Sequence, residues 1–531
     1  MVRDERVRTD EAGCWLTGAS LNNDPANRDA KAPHDALPRL RDRLSTGALY
    51  SFLAIVIAQS FALGTSIIYA RLLGRDNLGV LAIYVQLSNF VMAFVGLGLS
   101  TATVKFVAQF RKSDRSKLEP FLSTVLTITV LSSLVVTAAF FMSANALGLS
   151  IYSSPELAVM VRLSSAFLIL NGLAYFASAT LQGFQSIRTL SLVSIFIEGV
   201  TVPITFVSLI TFGLVGAVVG GIVLILMLSA ILFGLVLRTL AAEGIRLRLS
   251  LHRQSLRTLG SFSGPLLVST SLLRLAFLYQ SSFIALSLGY GDAGLFKVAS
   301  TLYSVVLFVP SAISVPLLPI ASELYATRTS VRTKENLTTV FRVVIYAGAA
   351  VALLVGFAAR PFISFLYGDV FVDAAPLVFV LAIAGFVEML SAVLVNFILG
   401  EGRTRLLLGV DAILAAVIVI SASFFVSRFG LIGVGYAFLS GSAAHVTAIL
   451  LILARRERLN FRSASTGLLA AVVGFALGVV SVVFWNGQSN SWLGFPVILV
   501  YAIIGWMCLG RNEREAIRGT LQWVLRMGQA L

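Results

Sequence analysis

Leu73-Gly74-Arg75-Asp76-Asn77-Leu78-Gly79 is echoed much later in the chain by Leu288-Gly289-Tyr290-Gly291-Asp292-Ala293-Gly294. Each stretch follows a long apolar run and opens another. Further marks keep nearly the same offset. Gly183 to Arg188 lies opposite Gly400 to Arg405, and Phe212-Gly213-Leu214-Val215-Gly216 lies opposite Phe429-Gly430-Leu431-Ile432-Gly433. The third apolar run begins near Pro120 and the ninth near Asn336, in the same frame. Agreement of this kind over so long a stretch marks an internal repeat.

The repeat is built of membrane spans. Of 531 residues, 57% are hydrophobic and 12% charged, with a mean hydropathy of +0.91. Soluble chains carry roughly 25% charged residues, so a soluble enzyme and a disordered or fibrous chain are both excluded. A spanning helix needs about 20 apolar residues. Fourteen such runs are read at 47–72, 79–109, 120–147, 157–182, 189–211, 214–239, 260–288, 293–323, 337–366, 376–399, 405–428, 431–455, 464–485 and 493–510. They are far longer than barrel strands, and backbone groups in lipid must pair within a helix or a closed barrel. Spans 1–6 and 7–12 are the two copies. Six is even, so the copies run in the same sense about an axis along the membrane normal.

The expected fold is therefore all-α and polytopic, with about 14 transmembrane helices: two parallel six-helix repeats plus two C-terminal helices. The expected domains are a disordered cytoplasmic tail over 1–45, an N-lobe over 46–258 and a C-lobe over 259–458. Spans 13 and 14 follow over 459–510, then a cytoplasmic tail over 511–531. No room is left for a separate soluble domain.

Net charge is +15, but here basic residues report topology rather than nucleic-acid binding. One set of loops holds about 27 Lys and Arg and the other at most six, which places both termini in the cytoplasm. The tail has no apolar signal-peptide core, so the first span does the targeting. Two cysteines, Cys14 and Cys508, give no disulfide framework, and three histidines exclude a zinc site of usual spacing. No metal and no cofactor are expected. GxxxxGK[ST] is absent, so ATP is not the direct drive. Gly289 to Gly294 matches G-x-G-x-x-G but lacks a preceding strand, and is read as a turn between helices.

Tyr69-Ala70-Arg71-Leu72-Leu73-Gly74-Arg75-Asp76-Asn77-Leu78-Gly79 resembles the opening of the polysaccharide (oligosaccharide) flippases. Val95-Gly96-Leu97-Gly98-Leu99-Ser100 stands where that family has a Gly-rich break in span 2. Leu181-Gln182-Gly183-Phe184-Gln185, Ala293-Gly294-Leu295-Phe296, Val309-Pro310-Ser311-Ala312 and Leu318-Pro319 follow in the family's order. The resemblance covers about residues 45–510. It implies membership of the multidrug/oligosaccharidyl-lipid/polysaccharide exporter superfamily. It also implies transfer of a polyprenyl-diphosphate-linked sugar from the inner to the outer leaflet of a bacterial inner membrane. Two departures stand out. Many members carry an Asp in mid-span 7, where this chain has Tyr279 and Gln280. The sister lipid II flippases carry arginines inside span 1, where this chain has none before Arg71.

Charges inside apolar runs are costly and tend to face cavities or partners. Arg274 in span 7 is the first candidate for a diphosphate, since guanidinium binds phosphate in a bidentate manner. The rival reading is a structural pair with Glu198 or Glu388. Arg71 and Lys297 are further substrate-binding candidates, because spans 1 and 8 bound the cleft in the resembling family. Gln280 and Asn396 are candidates for sugar contact, and Tyr279 for stacking on a sugar ring. Glu198, Glu388 and His445 are candidates for ion coupling. Gly216, Gly220 and Gly221 form a small-residue face suited to helix packing.

Short outer loops and the lack of a cytoplasmic domain speak against a polymerase or glycosyltransferase, so no catalytic residue is assigned. The expected function is flipping of a lipid-linked oligosaccharide for O-antigen (lipopolysaccharide) or exopolysaccharide synthesis, by alternating access. The expected partners are that glycan lipid, the bilayer, and the polysaccharide polymerase and glycosyltransferases. The alternative is a multidrug or metabolite exporter of the same fold.

Overall fold

A computed structural model describes residues 36–307, 345–346, 348–400 and 404–457. Spans 13 and 14 and the C-terminal tail lie outside them. The chain divides into two compact units, Met1–Gly47 and Ala48–Leu531. In the first, residues 36–47 are helical. Residues 36–45, expected to belong to a disordered tail, thus depart from that expectation. Pro38 falls in the first turn, where a missing N–H costs nothing, and Leu and Arg dominate the next turns.

Every described secondary-structure element is helical. The helices are α1 (Ala36–Gly96), α2 (Leu99–Ser113), α3 (Leu118–Asn145), α4 (Pro155–Ser165), α5 (Leu168–Gly183), α6 (Ile187–Ala242) and α7 (Arg253–Ser287). They continue with α8 (Tyr290–Val306), α9 (Gly348–Phe357), α10 (Ala359–Leu366), α11 (Ala375–Gly400), α12 (Thr404–Phe429) and α13 (Leu431–Glu457). Both α1 and α6 hold two spans each, turned at Gly74 and Gly213. Two pairs are bent single spans, α4 with α5 by 50° and α9 with α10 by 61°. The chain is an all-α polytopic membrane protein of two parallel six-helix repeats.

Backbone geometry carries the repeat. Gly74 (φ 74°) and its counterpart Gly289 (φ 100°) both take left-handed backbone, as do Gly213 (φ 58°) and Gly430 (φ 60°). A side chain there would be strained, so glycine recurs where each copy reverses direction. Gly216 and Gly433 repeat a second device. A Cβ on Gly216 would collide with the Ser208 carbonyl, and one on Gly433 with the Phe425 carbonyl, which is the same contact in the second copy. Gly220 also packs closely, against Ser208. Gly221 does not: nothing lies within 4 Å of its Cβ position. The break implied for span 2 falls at Leu97 (φ 45°) and Gly98 (φ 66°), between α1 and α2.

The two copies meet just past the turns at Gly74 and Gly289. A Cβ on Gly79 would strike the Tyr290 carbonyl, and one on Gly294 would strike the Arg75 carbonyl. The shift that carries Gly79 onto Gly294 also carries Arg75 onto Tyr290, so it exchanges the two contacts, which therefore straddle the axis relating the repeats. Around them Arg75 reaches Asp292 at 2.8 Å and Asp373 at 3.5 Å. The Tyr290 hydroxyl donates to the Tyr152 carbonyl, and Tyr367 donates to Ser66 at 3.3 Å. On the side carrying the basic loops, Lys105 sits 4.3 Å from the Phe262 ring centroid and His252 N donates to Thr124 Oγ1 at 3.1 Å. There too the Asp114 carboxyl is held below the usual carboxylate range, by Ser116 and then Lys117.

Gly79→Ala is expected to lower the melting temperature of the purified protein sharply, because the obstacle is backbone. Gly234→Ala, where nothing lies within 4 Å, is expected to leave it unchanged or raise it, in line with the roughly 1 kcal/mol helix preference of Ala over Gly. Thermal unfolding in detergent checks both.

Candidate functional site

A partly open cavity of about 680 Å³ lies between the repeats. Its walls come from α1, α4, α5 and α6 of the first repeat and α8 of the second. Helical spacing builds it. Ala62, Thr65, Ser66 and Tyr69 share one face of α1, and Tyr84, Ser88 and Asn89 share a face after the Gly74 turn. Lys297, Ser300, Thr301 and Ser304 form the wall from α8. Glu198 and Thr201 from α6, and Asn171 and Tyr175 from α5, complete the polar lining. The open space at Gly221 is explained here, since Gly221 lines the cavity instead of packing a helix.

Among the described residues, Lys297 is the only cationic and Glu198 the only anionic side chain lining the cavity. Neither forms an ion pair or side-chain hydrogen bond among the described residues. An unpaired charge within a span is expensive unless it meets water or a ligand. The surrounding hydroxyls and amides can satisfy a polyhydroxylated ligand, while the single ammonium supplies charge for an anion.

The other sequence candidates fall elsewhere. Arg274 does not line the cavity. Its Nη1 donates to the Asn89 carbonyl at 2.5 Å, tying α7 to the backbone behind a lining residue, and pairs with neither Glu198 nor Glu388. Arg71 caps the C-terminal end of α10, donating to the Phe365 and Leu366 carbonyls at 2.6 and 2.8 Å. The Tyr279 hydroxyl pairs with Ser423 Oγ at 2.6 Å, and its ring stacks on Phe283. Gln280 is buried, with Nε2 3.4 Å from the Val434 carbonyl. Both therefore pack α7 within the second repeat. Asn396 falls in α11, with its side chain outside the described residues.

Glu388 and His445 belong to a second, buried constellation in the second repeat. Glu388 accepts from Ser442 Oγ at 3.0 Å. His445 Nε2 lies 3.4 Å from Asp411 Oδ1, and Ser269 of α7 donates to Asp411 Oδ2. Sequence reading missed Asp411, although its signal is plain: a carboxylate in the apolar run Leu406-Leu407-Leu408-Gly409-Val410-Asp411-Ala412-Ile413-Leu414. It also missed the polar faces of α1, α5 and α8. Uncharged hydroxyls stand out only when the i, i+3, i+4, i+7 spacing is checked span by span.

Residues 68–376 match the family model described as polysaccharide biosynthesis protein. The chain belongs to that family. A search of curated protein sequences finds no match. Among solved structures, the lipid II flippase MurJ in an inward closed conformation is similar, at TM-score 0.67 and 14% identity, over 88% of this chain and 99% of that one. An inward-facing multidrug resistance MATE transporter of the MOP superfamily follows at TM-score 0.60 and 14% identity, over 78% and 98%. The Vibrio cholerae MATE transporter VcmN, as its D35N mutant, follows at 0.59 and 16%, over 81% and 100%. At these identities the structural likeness speaks for the fold, which is that of the MOP-superfamily flippases and transporters. The chain is thus a membrane protein of the polysaccharide biosynthesis family that carries that fold.

Removing Asp411 would leave the buried Ser269 hydroxyl without its acceptor and take away the carboxylate 3.4 Å from the buried His445 ring. Asp411→Ala is expected to destabilise by about 2 kcal/mol or more. Asp373→Ala, which removes only the distant half of an exposed pair, should cost less than about 1 kcal/mol. Detergent-solubilised melting curves distinguish them.

Proposed function

We propose that this protein flips a polyprenyl-diphosphate-linked oligosaccharide from the cytoplasmic to the outer leaflet of a bacterial inner membrane, for surface polysaccharide synthesis such as O-antigen or exopolysaccharide. The observation that carries the reading is the Lys297 ammonium, unpaired among the described residues, in a cavity lined by hydroxyls, amides and tyrosines. A diphosphate needs a cation to replace its hydration, and its sugars need many neutral hydrogen-bonding groups. In this reading Lys297, rather than Arg274, receives the diphosphate. The N-lobe (46–258) and C-lobe (259–458) rock about the Gly79 and Gly294 contacts, and the prenyl chain stays in lipid. Both termini lie in the cytoplasm, as the excess of basic residues on one side implies. The Glu388, Asp411 and His445 constellation carries ion coupling, with Glu198 a second candidate. The glycosyltransferases that build the glycan lipid and the polymerase that consumes it are the functional partners.

A second reading, export of a multidrug or metabolite type, has one observation in its favour. The Glu198 carboxylate in the same cavity, unpaired among the described residues, suits a cationic solute. Mass spectrometry of lipid extracts from a strain lacking this chain separates the two. Flipping requires one polyprenyl-diphosphate oligosaccharide to accumulate while surface polymer is lost. An unchanged lipid-linked pool would favour the soluble-substrate exporter.

Lys297→Ala is expected to abolish surface polymer at normal protein levels, and Lys297→Arg to restore part of it. Full polymer from Lys297→Ala, measured by glycan staining against immunoblotted protein, would remove Lys297 from the site.

A further inference from the structure

A second cavity of about 450 Å³ lies between α5 and the two halves of α6. It adjoins the main cavity, since Asn171, Tyr175 and Ile225 line both. From that junction one face of α5 runs Asn171, Tyr175, Ser178, Gln182 at steps of four, three and four, a strip of about 16 Å at helical rise. Ser191 and Ser194 face it from α6. Leu228 and Leu232 form the apolar wall, and no charged residue among those described lines the chamber.

Two observations mark it as a ligand site. Some hydroxyls in these helices fold back on their own helix: Thr180 on the Phe176 carbonyl at 2.8 Å, Thr201 on Ile197 at 2.8 Å, Thr239 on Leu235 at 2.9 Å. The side chains of Ser178, Gln182, Ser191 and Ser194 make no hydrogen bond among the described residues, although Ser191 is only 7% exposed. Secondly, the repeat relates this chamber to the constellation in the other copy. At the offset that carries Gly213 onto Gly430, Asn171 corresponds to Glu388, Ser194 to Asp411, Ile225 to Ser442 and Leu228 to His445. In the second repeat these positions hold carboxylates and an imidazole engaged with neighbouring polar groups. In the first they hold neutral groups around open space.

We propose that this chamber is a saccharide subsite, which takes the sugars of the lipid-linked glycan beyond the one next to the diphosphate. The inference rests on the flippase reading above. A neutral sugar chain presents hydroxyls to the polar strip and its C–H faces to Leu228 and Leu232. Tyr175, at the junction, offers a ring face where the chain turns in from the main cavity. A prenyl chain would leave the polar strip unsatisfied. The chamber thus makes translocation sensitive to glycan length beyond the first sugar, while the diphosphate site at Lys297 is indifferent to it.

The test uses full-length protein in proteoliposomes with two probes: a polyprenyl-diphosphate monosaccharide, and the polyprenyl-diphosphate oligosaccharide pool that accumulates without the flippase. Ser178→Leu and Gln182→Leu are each expected to slow oligosaccharide transfer about tenfold, the equivalent of one lost hydrogen bond, and to leave monosaccharide transfer unchanged. Ser178→Thr and Gln182→Asn should recover part of the loss. Equal loss of both probes, at wild-type melting temperature, would overturn the subsite in favour of a packing role or a prenyl groove. So would full transfer of the oligosaccharide by both leucine variants. Wild-type protein that moves neither probe would overturn the flippase reading itself, and the subsite with it.

Discussion

Two carbonyl groups, those of Tyr290 and Arg75, occupy the space where Gly79 and Gly294 lack side chains. The rest of the architecture depends on this paired approach. It sits on the axis relating the repeats, so it fixes where the bundles touch and how they face one another. Helix contacts in lipid gain nothing from hydrophobic exclusion and rely on close packing and hydrogen bonds. Small residues at the axis let the backbones meet, and Arg75 with Asp292 adds a charged link beside them. Away from that junction the main cavity occupies the space between the bundles.

Charge placement divides the repeats into two kinds of interior. The second repeat buries its ionisable groups in mutual contact, with Ser269 bringing α7 into the network. A network of this sort favours one packing of α7 against α12 and α13, since breaking it strands polar groups in a low-dielectric setting. The first repeat keeps the equivalent space polar but neutral. One duplicated unit has thus been filled with charge in one copy and left with open space in the other.

The fold is legible because its strongest determinants are also sequence patterns: apolar runs of span length, and glycines at turns that need left-handed backbone. Gly74 with Gly289, and Gly213 with Gly430, are conspicuous in sequence for the same reason that they are necessary in space. The start of the first helix is harder to read, because residues 36–45 are polar yet helix-forming. The site is only partly legible. Lys297 is a candidate only through the family resemblance, and Glu198 stands out as a charge in an apolar run, but so does Arg274, and nothing in one span tells which way its side chain reaches. Its partner, the Asn89 carbonyl, is a backbone group 185 residues away. Arg71 likewise meets the carbonyls of α10. Backbone acceptors have no sequence signature, so arginines that serve structure look the same as arginines that serve a ligand.

The way the cavity is shared between the repeats gives it the property that transport by rocking needs. A ligand shifts a conformational equilibrium only as far as its affinity differs between the states. Lys297 enters on α8, from the second repeat, while Glu198, Asn171 and the tyrosines stand on the first. In the proposed cycle, rocking of one bundle against the other would separate the ammonium from these polar groups of the first repeat. The proposed anionic glycan lipid would then meet a complete site in one arrangement and a divided one in the next. A site confined to a single bundle would travel with it intact, and would give bound ligand no means of biasing the motion. Lys297 lines a cavity shared with the first repeat because Gly79 and Gly294 hold α8 and the adjoining half of α1 at backbone contact, and the proposed rocking turns about the same pair.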